Sequence, residues 1–558
     1  MFIDAKTCSQ LSFCADVVIV GGGAAGISLA LSLLDTPMSV LLIESGNRDD
    51  DPDVQALYQG EVTDPRRHSP LDTYRQRRWG GSTTIWGGRC MPLDPIDFEH
   101  RAWADFCSWP IGHEDVLPYY PAANRLCEAG EFNYDHDAVF PALSKPLVSS
   151  YHPEAFTHTR LERFSCPTDF GKRYRHLFEQ SNNVTVLLNA NLTQLELDGA
   201  QQRVIGLEVK TLTGKTLRVE GRQFVLAVGG LEVVRILLNQ PGASGQGLGN
   251  ANDLVGRFYM CHLAGTIGRI SFKPGVEVWH GYDVAPEGVY CRRRFALKES
   301  VQRERKVGNF VARLHHPRID DPQHRTGILS ALLLGKYFIS YEYGKRLESL
   351  GGVKLASYFR HLLNVFTDMT GIIRFLTHWM MKRSLAQRKF PSVIVRSKAQ
   401  QYSLDFHAEQ LPNFHSRVTL ADERDVLGMR RLKVDWKYLP QDVKTVEVAL
   451  GLFKSELEKQ GLARFDYDPA EIETEMVRYG AYGGHHIGTT RMGADPAHSV
   501  VDANGRLHEV DNLYIAGSSV FPTSSQANPT LTIVALALRL GEHLQRQNRQ
   551  DKGVSEHE

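Results

Sequence analysis

Residues 14–44 read CADVVIVGGGAAGISLALSLLDTPMSVLLIE, and this stretch constrains the fold more than any other. The spacing predicts a short buried strand at Val17 to Val20, a tight turn at Gly21 to Gly26, a helix at Ile27 to Leu34 and a second buried strand at Ser39 to Ile43. Such a βαβ unit with Gly21-x-Gly23-x-x-Gly26 at its first crossing is a dinucleotide site. The first glycine makes the turn, the second lets backbone approach a pyrophosphate, and the third lets the helix press on the sheet. Gly21, Gly23, Ala25 and Gly26 are therefore candidate cofactor contacts. The pyrophosphate sits at the helix N-terminus, where unpaired N–H groups and the helix dipole favour an anion. Glu44, about 20 residues past Gly23, suits a ribose diol and argues against a 2′-phosphate. The turn by itself does not separate FAD from NAD.

Composition narrows the partners. The 558 residues are 42% hydrophobic, enough for a large core in two joined domains, and 64 basic residues balance 64 acidic ones. With no net charge there is no global field for nucleic acid or an anionic membrane, and a small-molecule partner is expected. The eight cysteines lie singly, without CxxC or His/Cys ligand spacing, so the expectation is free thiols, no metal and a reducing compartment. No run approaches the roughly 20 apolar residues of a membrane span. The first residues carry no secretion pattern, and the expected location is cytoplasmic.

Further along, Asn47 to about Arg78 is polar and loop-like, and a second glycine cluster, WGGSTTIWGGR, occupies Trp79 to Arg89. Strand-like runs follow at Val184 to Leu188 and Phe224 to Val228, then a helix from about Leu231 to Leu238. The end returns to a strand at Leu513 to Ala516 and a long helix from Pro529 to about Gln545. Between about Gly335 and Arg388, apolar residues Leu362, Val365, Phe366, Met369, Ile373 and Leu376 recur at mixed three- and four-residue spacings beside Lys382, Arg383 and Arg388. This predicts amphipathic helices forming a cap packed on the second domain, in preference to a membrane-surface helix or a docking site, with a substrate lid also compatible.

Three segments besides the first turn carry a resemblance: Trp79 to Arg89; HHIGTTRMG at His485 to Gly493; and NLYIAGSSVFPT at Asn512 to Thr523 with NPTLT at Asn528 to Thr532. In this order they resemble the glucose-methanol-choline (GMC) oxidoreductases, which narrows the dinucleotide to FAD. The resemblance implies an α/β (α+β) chain, a Rossmann-like FAD-binding domain interleaved with an antiparallel-sheet substrate domain capped by helices. The expected division is 14–255 for the FAD-binding domain with inserted loops at about 50–180, 256–480 mainly for the substrate and cap domain, 481–545 for the return to the FAD-binding domain, and 546–558 for a disordered tail. Gly81, Ser82, Trp86, Gly87 and Gly88 are implied along the flavin, Leu192 at the adenine, and Ala227, Gly517 and Ser518 as further cofactor contacts. Some family members bind FAD through a histidine in the second glycine loop. The corresponding position is Ile85, so a non-covalent flavin is expected.

The chemistry implied is removal of hydride from an alcohol carbon while a base takes the hydroxyl proton. By motif spacing the base is His485, with the adjacent His486 as its competitor, and Asn528 pairs with it on the substrate oxygen. Asn528-Pro529 also has the form of a plain N-cap followed by a first helical residue. The helix it opens would aim its positive end at the flavin, with contacts near Asn528, Pro529 and Thr530. Arg491 is read as a structural anchor. The expected donor is a sugar, glycoside or polyol hydroxyl. The alternatives are a choline-like or lipid alcohol, a non-redox lyase on the same scaffold, or a binding protein that has lost the chemistry. The electron acceptor is left open among oxygen, a quinone and a redox protein.

Overall fold

The computed structural model describes residues 1–141, 146–242, 244–335, 355–392, 394–395, 399–477 and 484–555. Strand Ser12–Val20 lies inside an eight-stranded sheet, paired in parallel with Val40–Ile43 on one side and with Thr216–Leu226 on the other. The parallel set continues through Val184–Leu188 to Phe2–Asp4. Parallel strands are covered on both faces, which is why VVIV, VLLI and FVL are uninterrupted apolar runs rather than alternating ones. Thr216–Leu226 is shared on its far side: its first residues pair antiparallel with Val204–Lys210, and its last three pair in parallel with Leu513–Ile515. The chain's end thus returns to the edge where open α/β sheets bind their ligands.

A second sheet of six antiparallel strands runs in the order Ala463–Asp466, Leu263–Phe272, Gln401–Ala408, Phe310–His315, Phe295–Leu297 and Phe156–Thr157. In this register Ala264 faces His407, so His262, two residues away on the same side, falls diagonally beside His407. Segments expected as loops of the first domain are partly strands of other sheets. Phe156–Thr157 edges the six-stranded sheet, Arg89–Cys90 and Leu161–Phe164 join Tyr290–Arg293, and Gly60–Val62 joins Arg430–Asp435. Short strands with mixed burial leave no clear period in the sequence. The expected boundary near 480 lies outside the described residues.

Three expectations about helices need correction. The first helix spans Ala24–Ser32, three residues earlier than expected, because Gly23 is its N-cap and the glycine turn is already its first turn. The C-terminal helix spans Thr530–Ser555, so most of the expected tail is helical. It is held beyond Gln545 by Arg546 with Glu542 at 3.2 Å and by Gln547, which accepts from Tyr514 at 3.0 Å. Helices Leu355–Thr367 and Met369–Trp379 do form where an amphipathic cap was expected, but the inward side of the first is polar, and of the second Ile372 and Phe375 are half-buried, Phe375 against Ile328, Leu329 and Val395. His361, Asn364 and Asp368 bond to Ser330, Pro322 and Gly327, while Phe366 is 72% exposed and Ile373 57%. Residues 336–354 of that region lie outside the described residues.

Candidate active site

One cavity of ≈ 690 Å³ runs from the first glycine turn to the start of the C-terminal helix. At one end Gly21 adopts φ 110°, a left-handed conformation, and an added Cβ would meet Ala227 O at 2.5 Å. A Cβ at Gly26 would meet Gly21 O at 1.9 Å, so Gly26 lets the helix seat and stands behind the cavity rather than in it. Gly23 is different: its Cβ would find nothing nearer than Gly81 Cα at 4.0 Å, yet the residue lines the cavity. Folding does not require glycine there, whereas close approach of a ligand to the backbone does. Glu44 Oε2 accepts from Gly22 N–H at 2.7 Å and Oε1 from Gly46 N–H at 2.8 Å and Ser45 at 3.0 Å. One acceptor position of this buried carboxylate remains for a ligand hydroxyl.

Of the expected cofactor contacts and catalytic residues, all except Gly26 line this cavity. Gly21, Gly23, Ala25 and Glu44 lie at one end, and Leu192 and Ala227 lie beside them. Gly81, Ser82, Trp86, Gly87 and Gly88 form one wall, and Gly517, Ser518, Pro529 and Thr530 join His485 and Asn528 at the other end. Trp79 is the pillar behind this wall, its indole donating to Gly171 O at 2.8 Å, and Trp86 donates to Thr168 O at 2.9 Å. Ile85 is half-exposed and also lines the cavity.

At the far end, hydrogen bonds fix the protonation of His485. His262 Nε2 lies 3.1 Å from Ser524 O, and a carbonyl only accepts, so this nitrogen carries the proton. Burial, then the neighbouring His485, holds His262 well below the usual histidine range, so its Nδ1 is bare. His485 Nδ1, 2.8 Å away, must therefore donate to it. Burial first, then the charge of Arg89, pushes the His485 pKa down to about 3. A neutral His485 with its proton on Nδ1 has a free lone pair on Nε2, toward which Asn528 Nδ2 points at 3.3 Å. Asn528 Oδ1 is buried without a partner among the described residues. The N-cap reading of Asn528 is thereby corrected: its amide turns to His485, and the helix begins at Thr530 with Pro529 O accepting from Ile533 at 2.8 Å.

His486 is committed elsewhere. His68 Nδ1 lies 2.7 Å from Ser69 O and its Nε2 2.8 Å from Tyr259 OH; Tyr259 in turn lies 2.7 Å from His486 Nδ1. His486 lines the cavity too, and its buried Nε2 has no hydrogen-bond partner among the described residues. Arg491 lies outside the cavity, donating to Phe106 O and stacking 4.6 Å from the Phe258 ring, as an anchor would. His262 and His407 had no signal in sequence beyond being buried polar residues in apolar strands. Their rings stack at 4.4 Å, and His407 Nδ1 donates to Gln526 O at 2.7 Å. A ligand nitrogen of each, with one of His485, falls within 4.8 Å of the others. His262 has both nitrogens engaged in hydrogen bonds and His407 one, so the arrangement serves His485 rather than a metal.

The wall beyond His485 is polar and cationic. Arg89, Arg292, Arg313, Arg318, Asp320 and Ser403 line it. Glu162, fully buried, takes Arg89 at 2.6 Å, Arg292 at 2.5 Å and Arg294 at 3.5 Å, and these arginines hold its carboxyl well below the usual range despite burial. Arg313 pairs with Asp405 at 3.1 Å.

Residues 412–537, which include His485 and Asn528, match the family model for GMC oxidoreductases. The chain is 24% identical to the fructose dehydrogenase large subunit of Gluconobacter japonicus, over 96% of this chain and 98% of that protein. It is 22% identical to the paromamine 6'-oxidase of Streptomyces fradiae, over 94% and 90% respectively. Its fold resembles the crystal structure of pyridoxine 4-oxidase from Mesorbium loti, with a TM-score of 0.51 and 20% identity over 95% of this chain and 98% of that one. With the glycine turn, the second glycine wall and the His485–Asn528 pair meeting in one cavity, the chain is a mixed α/β protein whose residues 412–537 match the GMC oxidoreductases, an FAD-dependent family.

Proposed function

We propose that the cavity holds FAD non-covalently and that the enzyme oxidises a hydroxyl-bearing carbon of a sugar, glycoside or polyol, with His485 as the base. The observation that carries this reading is the bare Nε2 of His485 beside Asn528, in the same cavity as the dinucleotide turn. The residues fit the cofactor. Gly23 is a glycine with room for a Cβ, Glu44 keeps an acceptor position, and two helix N-termini, at Ala24 and Thr530, present unpaired N–H groups toward the two ends. Ile85 offers no nucleophilic atom where a covalent link would form, which supports a dissociable flavin.

Bound FAD supplies the hydride acceptor. The chain's own part is acid–base and positional. His485, neutral far below pH 7, takes the hydroxyl proton on Nε2, and Asn528 Nδ2 donates to the substrate oxygen and holds it beside that lone pair. His262 keeps the acceptor side of the ring facing the substrate. The helix starting at Thr530 favours negative charge near its end. The polar wall of Arg292, Arg313, Arg318, Asp320 and Ser403 supports a polyhydroxylated substrate, as do relatives named for fructose and paromamine. All eight thiols are free, which supports a reducing, cytoplasmic setting.

The test begins with the purified protein. It should carry about one flavin per chain, released into the supernatant by acid precipitation; flavin retained in the washed pellet contradicts the non-covalent reading. Sugars, glycosides, polyols and simple alcohols are then screened for anaerobic bleaching of the flavin. A flavin that no alcohol bleaches, in a protein that instead cleaves substrate without redox change, identifies a lyase. Reoxidation by oxygen or by a quinone separates oxidase from dehydrogenase.

A further inference from the structure

Helices Leu355–Thr367 and Met369–Trp379 carry their apolar stripes outward. In the first helix Leu355, Phe359, Leu362 and Phe366 recur at helical spacing and are 87%, 66%, 44% and 72% exposed. The second continues the pattern with Met369, Ile373, Leu376 and Met380, 43% to 57% exposed, and Met381 and Leu385 extend it. A water-soluble helix normally buries such a stripe. Here the first helix buries its polar side instead, with His361 at 0% and Asp368 at 5% exposure, while the second leaves Ile372 and Phe375 half-buried and keeps its longer stripe outside. The exposed side chains form a contiguous patch of the kind that marks a docking face.

Charge indicates what covers it. Between residues 355 and 390 the basic residues are Arg360, Arg374, Lys382, Arg383, Arg388 and Lys389, and Arg360, Arg374, Lys382 and Lys389 are exposed. The one acid of this segment, Asp368, is buried and accepts from Gly327 N–H at 2.8 Å. Outward Phe, Leu, Ile and Met flanked by cations without exposed anions is the composition of a helix lying in an anionic lipid interface, not of one packing on a mixed-charge protein surface. At 13 and 11 residues the helices are too short to cross a bilayer, and no described helix is long and apolar enough to do so. Trp379 and Arg383, at the end of the second helix, also line the cavity that contains His485. The outward face is therefore continuous with the wall of the candidate active site.

We infer that this helical pair docks the enzyme peripherally on an anionic lipid bilayer, with its apolar stripe in the interface and the cavity wall at Trp379 and Arg383 next to the membrane surface. The inference stands on exposure and charge and is independent of the substrate.

The full-length protein as purified is floated with vesicles of phosphatidylcholine and phosphatidylglycerol, and with vesicles of phosphatidylcholine alone. The expected result is binding to the anionic vesicles, weakened at least about tenfold on neutral ones or at high salt. Phe366→Ser/Ile373→Ser should lower partitioning at least about tenfold, with unchanged thermal midpoint and flavin content, because both side chains face solvent. Arg374→Glu/Lys382→Glu should lower it as well. Absence of wild-type flotation, or equal flotation of wild type and both variants, overturns the inference. So does an oligomer that the serine variant dissociates in the absence of any vesicle binding, since the face is then covered by a second copy of this chain.

Discussion

His262 offers the sharpest test of how the site is tuned. Its Nε2–H is fixed on Ser524 O, so its Nδ1 is an obligate acceptor 2.8 Å from His485 Nδ1. Replacing it by leucine leaves the buried Nδ1–H of His485 unpaired, at a cost of about 1–3 kcal/mol. Tautomeric transfer of the proton to Nε2 relieves this cost, because Asn528 can turn its unpartnered Oδ1 to accept. That tautomer has no lone pair toward the substrate. The enzyme then loses its general base without losing its histidine, and the expected fall in the rate of flavin reduction is about 10²- to 10⁴-fold. His262→Asn can present a carbonyl oxygen to Nδ1–H and should recover to within about tenfold of wild type. The assay is anaerobic stopped-flow bleaching of bound flavin by the alcohol that the substrate screen identifies, with flavin content and thermal midpoint measured in parallel. A folded, flavin-loaded His262→Leu protein that reduces its flavin at close to the wild-type rate refutes the tautomer argument. So do leucine and asparagine variants that are equally impaired.

Other consequences follow from the same geometry. Gly23→Ala should fold with an unchanged midpoint but lose flavin affinity, whereas Gly26→Ala should lose both, because only the second Cβ strikes backbone, at 1.9 Å; flavin content against melting temperature separates them, and equal behaviour contradicts the cradle. Glu162→Gln leaves Arg89, Arg292 and Arg294 around a neutral amide and should cost about 3–5 kcal/mol, read as a clear fall in melting temperature; a midpoint within about a degree of wild type contradicts it. Burial lowers the pKa values of His262, His407, His485 and His486. Their folded values lie below the unfolded value near 6.5, so the unfolded chain takes up protons that the folded one does not. Each such histidine therefore costs about 1.4 kcal/mol of stability between pH 7.5 and 5.5. Burial raises Asp97 and Asp442 to about 7, which works in the opposite direction over the same window. The diagnostic is accordingly a difference: the loss of stability on acidification should be smaller in His262→Leu than in wild type by about 1.4 kcal/mol, and parallel pH curves contradict it.

The parallel half of the fold was legible because a strand buried on both faces leaves an unbroken apolar run, as at Val17 to Val20 and Leu41 to Ile43, and because the glycines at 21 and 26 answer to backbone clashes visible in spacing alone. The glycine-turn end of the cavity was legible for the same local reasons. The antiparallel sheets were not, since Phe156–Thr157 in one and Arg89–Cys90 in another are two-residue strands whose partners lie far along the chain. His262 and His407 were illegible because what makes them matter is a ring stack and a shared acceptor across two strands, neither of which leaves a period in sequence. Asn528 resembled a cap because capping is a local use of asparagine, and a partner 43 residues away competes with it only once the chain is folded. The outward stripe of Leu355–Thr367 has the same periodicity as an inward one. Only the burial of His361 and Asp368 tells the two faces apart.

If His485 is the base serving a flavin held in this cavity, its replacement by alanine must slow hydride transfer while leaving the flavin bound. The variant is purified beside the wild type, its flavin is quantified, and both are mixed anaerobically with the alcohol that bleaches the wild type. Flavin content should be undiminished, with flavin reduction slowed by at least about 10²-fold. Bleaching at the wild-type rate in a flavin-replete His485→Ala protein rules out His485 as the base.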